Sequence, residues 1–296
     1  MSLDRLLARV RQVLSGSGHL SHAIHDTYRG HRAGGSQAAS DLDSTYGVSI
    51  QTAYASAAVF LEASNEYLEC LGRVFFELFP QKGVLFLCRG VVDNVARAWW
   101  LLSPESPYER ARRGLLERFN HVQELIGVVS VSQDPEDQEA VTDQRAKLAA
   151  MVEDGRSKGF EVTVKRPYRV DGLARPTATA LLTEIDGPEG ALLYKVLSGS
   201  AHGASYATLM GMDVDGATEE WEGGLLVGPD DKLSPMDWAI AGAFELHCRA
   251  FDRYLCLMGW DREEWVKWRV HAMLTMRELL VAGGSAGPLG TPPISP

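Results

Sequence analysis

Apolar side chains recur every three to four residues along most of this 296-residue chain, which is the spacing of one face of an α-helix. The longest such stretch runs from residue 48 to residue 79, where Pro80 and Gly83 then interrupt it. Its helix face carries Val48, Ala55, Val59, Leu68, Leu71, Phe75 and Phe79. The spacing predicts an all-α fold, a multi-helix antiparallel bundle.

Two Ser-Pro pairs mark the starts of helices. Ser106-Pro107 and Ser234-Pro235 each place a capping serine before a proline at the first helical position, with an acid two residues after the proline. Asp261 caps the last helix in the same way. The predicted helices run over residues 48–79, 84–102, 107–127, 135–156, 177–186, 189–206, 235–258 and 262–281.

One segment follows the two-residue period of a strand instead. Residues 160–168 alternate between apolar and polar side chains, and Pro167 restricts such a strand to the edge of a sheet. Leu225–Val227 is its predicted partner, so the bundle is expected to carry one small β-hairpin. Residues 1–282 are predicted to form a single helical domain, and the Gly/Pro-rich residues 283–296 a disordered tail.

The formal charge of -10 is concentrated in two segments. Residues 132–156 hold seven acids and three bases, and residues 213–231 hold seven acids and no base, so the rest of the chain is nearly neutral. This balance excludes a strongly basic nucleic-acid coat protein. Any basic patch for nucleic acid would have to come from asymmetric placement of Arg29, Arg32, Arg110, Arg112, Arg113 and Arg118.

The cysteines and the apolar runs predict a cytoplasmic protein. The motifs that the sequence lacks predict that it binds no metal or cofactor. The four cysteines form no C-x-x-C pair, which is typical of buried free thiols in a reducing compartment. Neither a signal peptide nor a run of 18 apolar residues is present, so no membrane association is expected. Phosphate-binding loops, dinucleotide fingerprints and di-iron spacings are also missing. The cysteines are Cys70, Cys88, Cys248 and Cys256.

The first candidate site is a charged stripe in the helix predicted over 84–102. Arg89, Asp93 and Arg97 stand four residues apart in an otherwise apolar segment, so they lie along one narrow face of that helix. Charges beside buried surface must be paired. Two interpretations stay open: an internal Arg–Asp–Arg ladder that only stabilises the helix, and a functional site at a cleft.

The second candidate site is a polar stripe in the helix predicted over 189–206. Tyr194, Ser198 and His202 stand four residues apart, followed on the same face by Ser205 or Tyr206. Small residues surround them, and two glycines four residues apart weaken the helix unless something approaches its backbone closely. A neighbouring helix or a ligand would fill that space. The structural alternative for His202 is a hydrogen-bonded histidine with no chemical role.

Together the two stripes resemble a family of uncharacterised helical proteins that is grouped with the HEPN-like bundles. That family has an Arg-x3-Glu helix and a later Tyr-x3-Ser-x3-His-Gly helix, which match Arg89-x3-Asp93 and Tyr194-x3-Ser198-x3-His202 over about 40 residues here. The resemblance implies that antiparallel helices bring Arg89, Asp93 and His202 together. Aspartate in place of the usual glutamate shortens the reach of the carboxylate by one methylene.

Many HEPN relatives are ribonucleases with a histidine four to six residues after an arginine on one helix. None of the eight histidines here follows an arginine at that distance, so ribonuclease activity by that arrangement is not expected. Cleavage would instead need Arg89 to stabilise the phosphate and His202 to act as acid or base from another helix.

A third feature is a run of histidines, His19, His22, His25 and His31, within a His/Arg-rich N-terminal segment at about residues 15–47. Two histidines three residues apart can share a metal ion, but three at this spacing point in different directions around a helix. We therefore expect a solvated arm, with an anion-binding arm as the alternative.

Three functions remain open on the sequence alone. The first is a HEPN-like protein that binds or processes RNA or another phosphate-bearing ligand at an inter-helix site. The second is an enzyme or binder that holds a small molecule between the same helices. The third is a non-catalytic interaction protein whose small-residue helix packs on a partner or on a second copy, as a homodimer. The predicted site residues are Arg89, Asp93, Tyr194, Ser198 and His202.

Overall fold

The helical period governs the structure, a computed structural model that describes residues 2–28, 31–74, 81–132, 134–165, 167–201, 219–221, 224–226 and 234–282. The described helices are α1 (Leu3–Tyr28), α2 (Gln37–Leu42), α3 (Gly47–Val74), α4 (Gln81–Leu102), α5 (Pro107–Val129), α6 (Pro135–Ser157), α7 (Ala178–Ala201), α8 (Ser234–Met258) and α9 (Glu263–Ala282). The strands are β1 (Val162–Thr163), β2 (Arg169–Val170), β3 (Glu219–Trp221) and β4 (Gly224–Leu226). The all-α prediction is confirmed.

Helix α4 lies at the centre and packs against α3, α7 and α8. Val91, Val92, Val95 and Leu101 on this helix are fully buried. Burying each of these side chains contributes about 1.5–3 kcal/mol. Because neighbours cover most of its circumference, α4 leaves only a narrow strip for its charged residues.

Helix α3 runs antiparallel to α4 at short range. The ring of Tyr67 on α3 lies so close to Gly90 that a Cβ there would come within 2.7 Å of it. The ring of Phe60, seven residues before Tyr67 on α3, contacts the guanidinium of Arg97, seven residues after Gly90 on α4. This order is that of two antiparallel helices. Gly90 is therefore needed for close approach of the two helices, and any larger residue would push Tyr67 away.

The predicted strand pairing is wrong. β1 pairs with β2 and β3 pairs with β4, both antiparallel, so each strand joins its nearest neighbour in the sequence. A short loop closes at lower entropic cost than the link of more than fifty residues that the predicted pairing would need. The alternating stretch at 160–168 is also no continuous strand, because β1 ends at Thr163 and β2 begins at Arg169.

The predicted solvated arm is also corrected in part. Residues 15–28 continue α1, and Ser17, Ser21 and Ile24 are buried against the bundle. The sequence pattern did not indicate that this face of α1 is buried, because small polar side chains rather than large apolar ones form much of the contact. The four histidines of the run are nevertheless exposed, as a solvated surface requires.

Aromatic contacts fix the end of α1 to the turn between α8 and α9. The ring of Tyr28 stacks on Trp260 with ring centroids 5.0 Å apart, and the Tyr28 hydroxyl accepts a hydrogen bond from the backbone N–H of Asp261 at 2.8 Å. Trp260 Nε1 donates to the carbonyl oxygen of His31 at 2.8 Å. The N-terminal segment is thus part of the packed bundle.

The prediction that the cysteines are buried free thiols is correct for two of the four. All four cysteines are free thiols, but only Cys88 and Cys248 are buried, whereas Cys70 and Cys256 are exposed. Of the helices that the structure describes, none is both long and apolar enough to cross a lipid bilayer. The predicted tail, residues 283–296, lies outside the described residues.

A fully buried ion pair joins α2 to α5. Arg110 donates to both carboxylate oxygens of Asp41, at 2.7 and 2.9 Å, and neither side chain is exposed. Tyr54 donates to the same carboxylate at 2.6 Å and Gln37 at 2.8 Å. Burial alone would raise the pKa of Asp41, but these hydrogen bonds outweigh it and hold that pKa below its ordinary value.

A second buried polar contact joins α3 to α8. Ser64 Oγ donates to the carbonyl of Leu61 at 2.8 Å, so it accepts the Nδ1–H of His247 at 2.7 Å. His247 is completely buried and packs edge-on against Trp265. Burial lowers the pKa of His247 to about 3, because the charged imidazolium would lose its hydration.

The buried ion pair predicts a large stability loss when one partner is removed. Asp41→Ala leaves Arg110 buried without a carboxylate, so the free energy of unfolding should fall by about 3–5 kcal/mol in urea titrations. Glu153→Ala breaks the exposed pair with Arg156 and serves as the control, with an expected loss below about 1 kcal/mol. Equal losses in the two variants would contradict this role for the pair.

Burial of neutral His247 predicts a pH-dependent stability. An unfolded histidine binds a proton near pH 6.5, whereas folded His247 binds one only near pH 3, so stability is lost as pH falls through that interval. His247→Phe keeps an aromatic ring there and should remove this component from the pH profile of unfolding. His271→Phe, at an exposed histidine, is the matched substitution, and its profile should keep the component that His247→Phe removes. A profile identical in wild type and His247→Phe would contradict the prediction.

Candidate functional site

Four of the five predicted site residues meet where α4 packs against α7. Arg89 Nη2 donates to the hydroxyl of Tyr194 at 3.3 Å, and Nη1 donates to Ser198 Oγ at 3.4 Å. On its own helix, Arg89 Nε donates to Asp93 Oδ2 at 3.3 Å. We call these four residues the Arg89 cluster. His202, the fifth predicted residue, lies outside the described residues.

The Arg89 cluster lies at the border between the core and solvent. The side chain of Arg89 is 18% exposed and that of Asp93 is 37% exposed. The guanidinium carbon of Arg89 lies 5.5 Å from the centroid of the Tyr194 ring, a cation–π distance. Arg89 is thus a largely buried cation that keeps some exposure to solvent, and electrostatic attraction to it is stronger than at a fully exposed site.

The helical period explains why these side chains meet. Arg89 and Asp93 are four residues apart on α4, and Tyr194 and Ser198 are four residues apart on α7. Each pair therefore forms a short polar stripe, and the two stripes face each other across the contact between the helices. The neighbours of the second pair, Leu193 and Leu197, are buried and hold α7 in this orientation.

The hydrogen bonds within the Arg89 cluster are long. Charge-assisted N–H···O bonds are usually about 2.7–2.9 Å, whereas the three bonds of Arg89 measure 3.3–3.4 Å. Two of the three acceptors are neutral hydroxyls, and only Asp93 carries a charge. The Nη edge of the guanidinium is thus occupied by weak partners that a stronger acceptor can replace.

Arg97 does not extend the charge ladder predicted from sequence. Within the described ranges, Asp93 pairs with Arg89 and forms no ion pair with Arg97. The guanidinium of Arg97 instead lies 5.5 Å from the centroid of the Phe60 ring on α3. The charged stripe of α4 therefore has two separate parts. Arg89 faces α7, and Arg97 faces α3.

Sequence reasoning gave no role to Glu117, which the structure places near Arg97. Glu117 on α5 is only 5% exposed, and Arg175 lies 3.7 Å from its Oε1. Burial raises the pKa of Glu117, and the charges of Arg175 and Arg97 oppose that shift. Because α5 carries many other charged residues, among them Arg113 and Arg118, nothing in the sequence indicated that Glu117 is buried.

The basic residues that might have formed a nucleic-acid patch are mostly engaged elsewhere. Arg110 is completely buried with Asp41, Arg112 pairs with Glu109 at 2.8 Å, and Arg113 donates to the carbonyl of Trp100 at 2.6 Å. Arg29 lies outside the described residues, Arg32 is exposed and Arg118 is half-buried. Any basic patch for nucleic acid would therefore lack Arg110, Arg112 and Arg113 of α5 as free contacts.

The structure also bears on the metal alternative for the histidine run. Among the residues that are described, no three histidine, cysteine or carboxylate side chains are grouped closely enough to hold a metal ion. The ring of His25 packs edge-on against Trp260 at 5.8 Å instead.

A separate surface groove of about 390 Å³ lies between α6 and the segment that follows β1. Its lining is mainly apolar and includes Ala149, Val152 and the exposed Val164. The groove shares no residue with the Arg89 cluster.

We compared the chain with protein-family models, with curated proteins and with solved structures, and none of the three comparisons found a match. The resemblance to the HEPN-like bundles thus stays a prediction, carried by the two motifs alone.

Proposed function

We propose that the Arg89 cluster binds the phosphate group of a small phosphate-bearing ligand. The observation that carries this proposal is the Nη edge of Arg89, which faces two neutral hydroxyls at 3.3 and 3.4 Å. A phosphate on that edge would accept two parallel charge-assisted hydrogen bonds, which are shorter and about twice as strong as bonds to neutral acceptors.

Each member of the cluster has a distinct role in this proposal. Arg89 contacts the phosphate, and Asp93 holds Arg89 through Nε so that the Nη edge stays directed at α7. The hydroxyls of Tyr194 and Ser198 accept hydrogen bonds from Arg89 in the free protein, but a hydroxyl can also donate. Once the phosphate replaces them on Arg89, both hydroxyls can donate to its oxygens.

A small ligand is favoured over a long RNA. RNA binding depends on many phosphate contacts, and Arg110 and Arg113 are held inside the bundle. The HEPN-like motifs support phosphate recognition by Arg89, and they assign His202 the part of an acid or base if the ligand is also cleaved. The proposal itself concerns binding.

Pyrophosphate is a suitable probe, because it presents phosphate oxygens without any other recognition element. By isothermal titration calorimetry, Arg89→Met should weaken pyrophosphate binding at least about tenfold, since hydrogen bonds to charged groups contribute roughly 1.5–3 kcal/mol. The melting temperature should change by only a few degrees, because an i,i+4 ion pair that keeps some exposure contributes about 1 kcal/mol or less.

The matched control is Arg73→Met, which removes an exposed arginine that pairs with Glu69 at the same spacing. This variant should bind pyrophosphate like the wild type. Equal binding by wild type and Arg89→Met, or no binding by the wild type, would contradict the proposal. A labelled single-stranded RNA that binds much more tightly than pyrophosphate, with affinity falling steeply as salt rises, would favour RNA as the ligand.

The hydroxyl roles give a separate prediction. Tyr194→Phe removes only an oxygen and keeps the ring beside Arg89, so it should weaken pyrophosphate binding by roughly 2- to 10-fold, the value of one hydrogen bond. Tyr67→Phe, at a tyrosine of α3 whose ring packs beside Gly90, is the control and should have no effect on affinity. An unchanged or tighter affinity for Tyr194→Phe would show that the Tyr194 hydroxyl does not touch the phosphate.

A further inference from the structure

Helix α7 is broken about two turns before Tyr194 of the Arg89 cluster. Asp186 has non-helical dihedral angles (φ -138°, ψ 20°), and Gly187 has a positive φ of 62°, a region that strongly favours glycine. Pro188 then begins the second half of the helix, where a missing N–H costs nothing. The direction of the second half, which carries Tyr194 and Ser198, is therefore set at this break.

Arg249 on α8 binds the break at Asp186 and the residue before it, Ile185. Its Nη1 donates to Asp186 Oδ1 and its Nη2 donates to the carbonyl of Ile185, both at 2.9 Å. The Ile185 carbonyl belongs to the last turn before the break, where carbonyls lack helical partners. The guanidinium also lies 5.8 Å from the centroid of the Trp99 ring on α4. One side chain thus connects α8, the break in α7 and the helix that carries Arg89.

The geometry of the cluster is sensitive to the angle at this break. Ser198 lies eleven residues beyond Gly187, which corresponds to about 16 Å of helix. A rotation of roughly 10° at the break would displace Ser198 by about 3 Å, since displacement grows with the length of the arm. The hydrogen bonds from Arg89 to Ser198 and Tyr194, already at 3.3–3.4 Å, would not survive such a shift.

We propose that Arg249 is a positioning residue for the Arg89 cluster: by clamping Asp186 and Ile185 it holds the second half of α7 at the angle that brings Tyr194 and Ser198 to Arg89. This inference rests on the proposed function only for its effect on ligand affinity. The effect on the position of α7 is a property of the free protein.

The chain offers a matched control on the next turn of α8. Arg253 donates to the carbonyl of Leu102 at 3.1 Å and to Glu105 at 2.9 Å, so it also binds a helix-end carbonyl and a carboxylate. Its partners lie at the end of α4 and in the loop that follows it, not at the break in α7. A general loss of stability should appear in both Arg249→Met and Arg253→Met, whereas loss of positioning should appear only in the first.

Hydrogen–deuterium exchange of the intact protein tests the position of α7 directly. Arg249→Met should accelerate amide exchange in residues 188–201 more than in α3 or α5, and Arg253→Met should not. Arg249→Lys, which can still reach one of the two acceptors, should restore part of the protection. Equal exchange of residues 188–201 in the two methionine variants would overturn the inference.

Pyrophosphate titration tests the consequence for the site. Arg249→Met should weaken pyrophosphate binding about tenfold or more, and Tyr194→Phe should have no further effect in that background, because the hydroxyl has already left the cluster. If Tyr194→Phe costs the same factor in both backgrounds, Arg249 does not act through Tyr194 and the inference fails. If the wild type binds no pyrophosphate, the proposed function fails, and the exchange experiment alone decides the role of Arg249.

Discussion

The burial of α4 on three sides is the constraint on which the rest of the structure depends. With α3, α7 and α8 packed around it, this helix has room for charged side chains only along one strip. Each charge there needs a partner, because an unpaired buried charge is very costly. Helix α7 supplies Tyr194 and Ser198 to Arg89, and α3 supplies the Phe60 ring to Arg97. The contacts that complete the core are therefore the same contacts that create the candidate site.

Arg110 and Arg89 differ in the acceptors that they contact, and this difference distinguishes a structural arginine from a candidate binding residue. Arg110 makes two short bonds to Asp41 and is fully buried, so a ligand in solvent cannot contact it. Among the described residues, Arg89 meets its carboxylate at 3.3 Å and otherwise donates to hydroxyls, which are weak acceptors. The distinction lies in the chemistry of the partners, since both arginines lie on helices next to the same core.

Features that depend on local sequence could be predicted, and features that depend on distant contacts could not. Helical period and caps placed most helix boundaries. That the helices of Arg89 and His202 come together was expected only from the resemblance to the HEPN-like bundles, and the structure brings Arg89 to Tyr194 and Ser198. The pairing of Arg110 with Asp41 spans 69 residues, and nothing near either residue indicates it. The buried face of α1 uses Ser17 and Ser21, which a search for apolar side chains does not recognise.

The break in α7 separates the demands of the core from those of the candidate site. The first half of α7 buries Leu181 and Leu182, and the second half both packs on the core through Leu193 and presents Tyr194. A continuous helix would fix the two halves to one axis, so any adjustment of the hydroxyls would disturb the packing of the first half. With the break at Gly187 held by a side chain from α8, the second half can take the angle that suits Arg89 while the first half keeps the angle that suits the core.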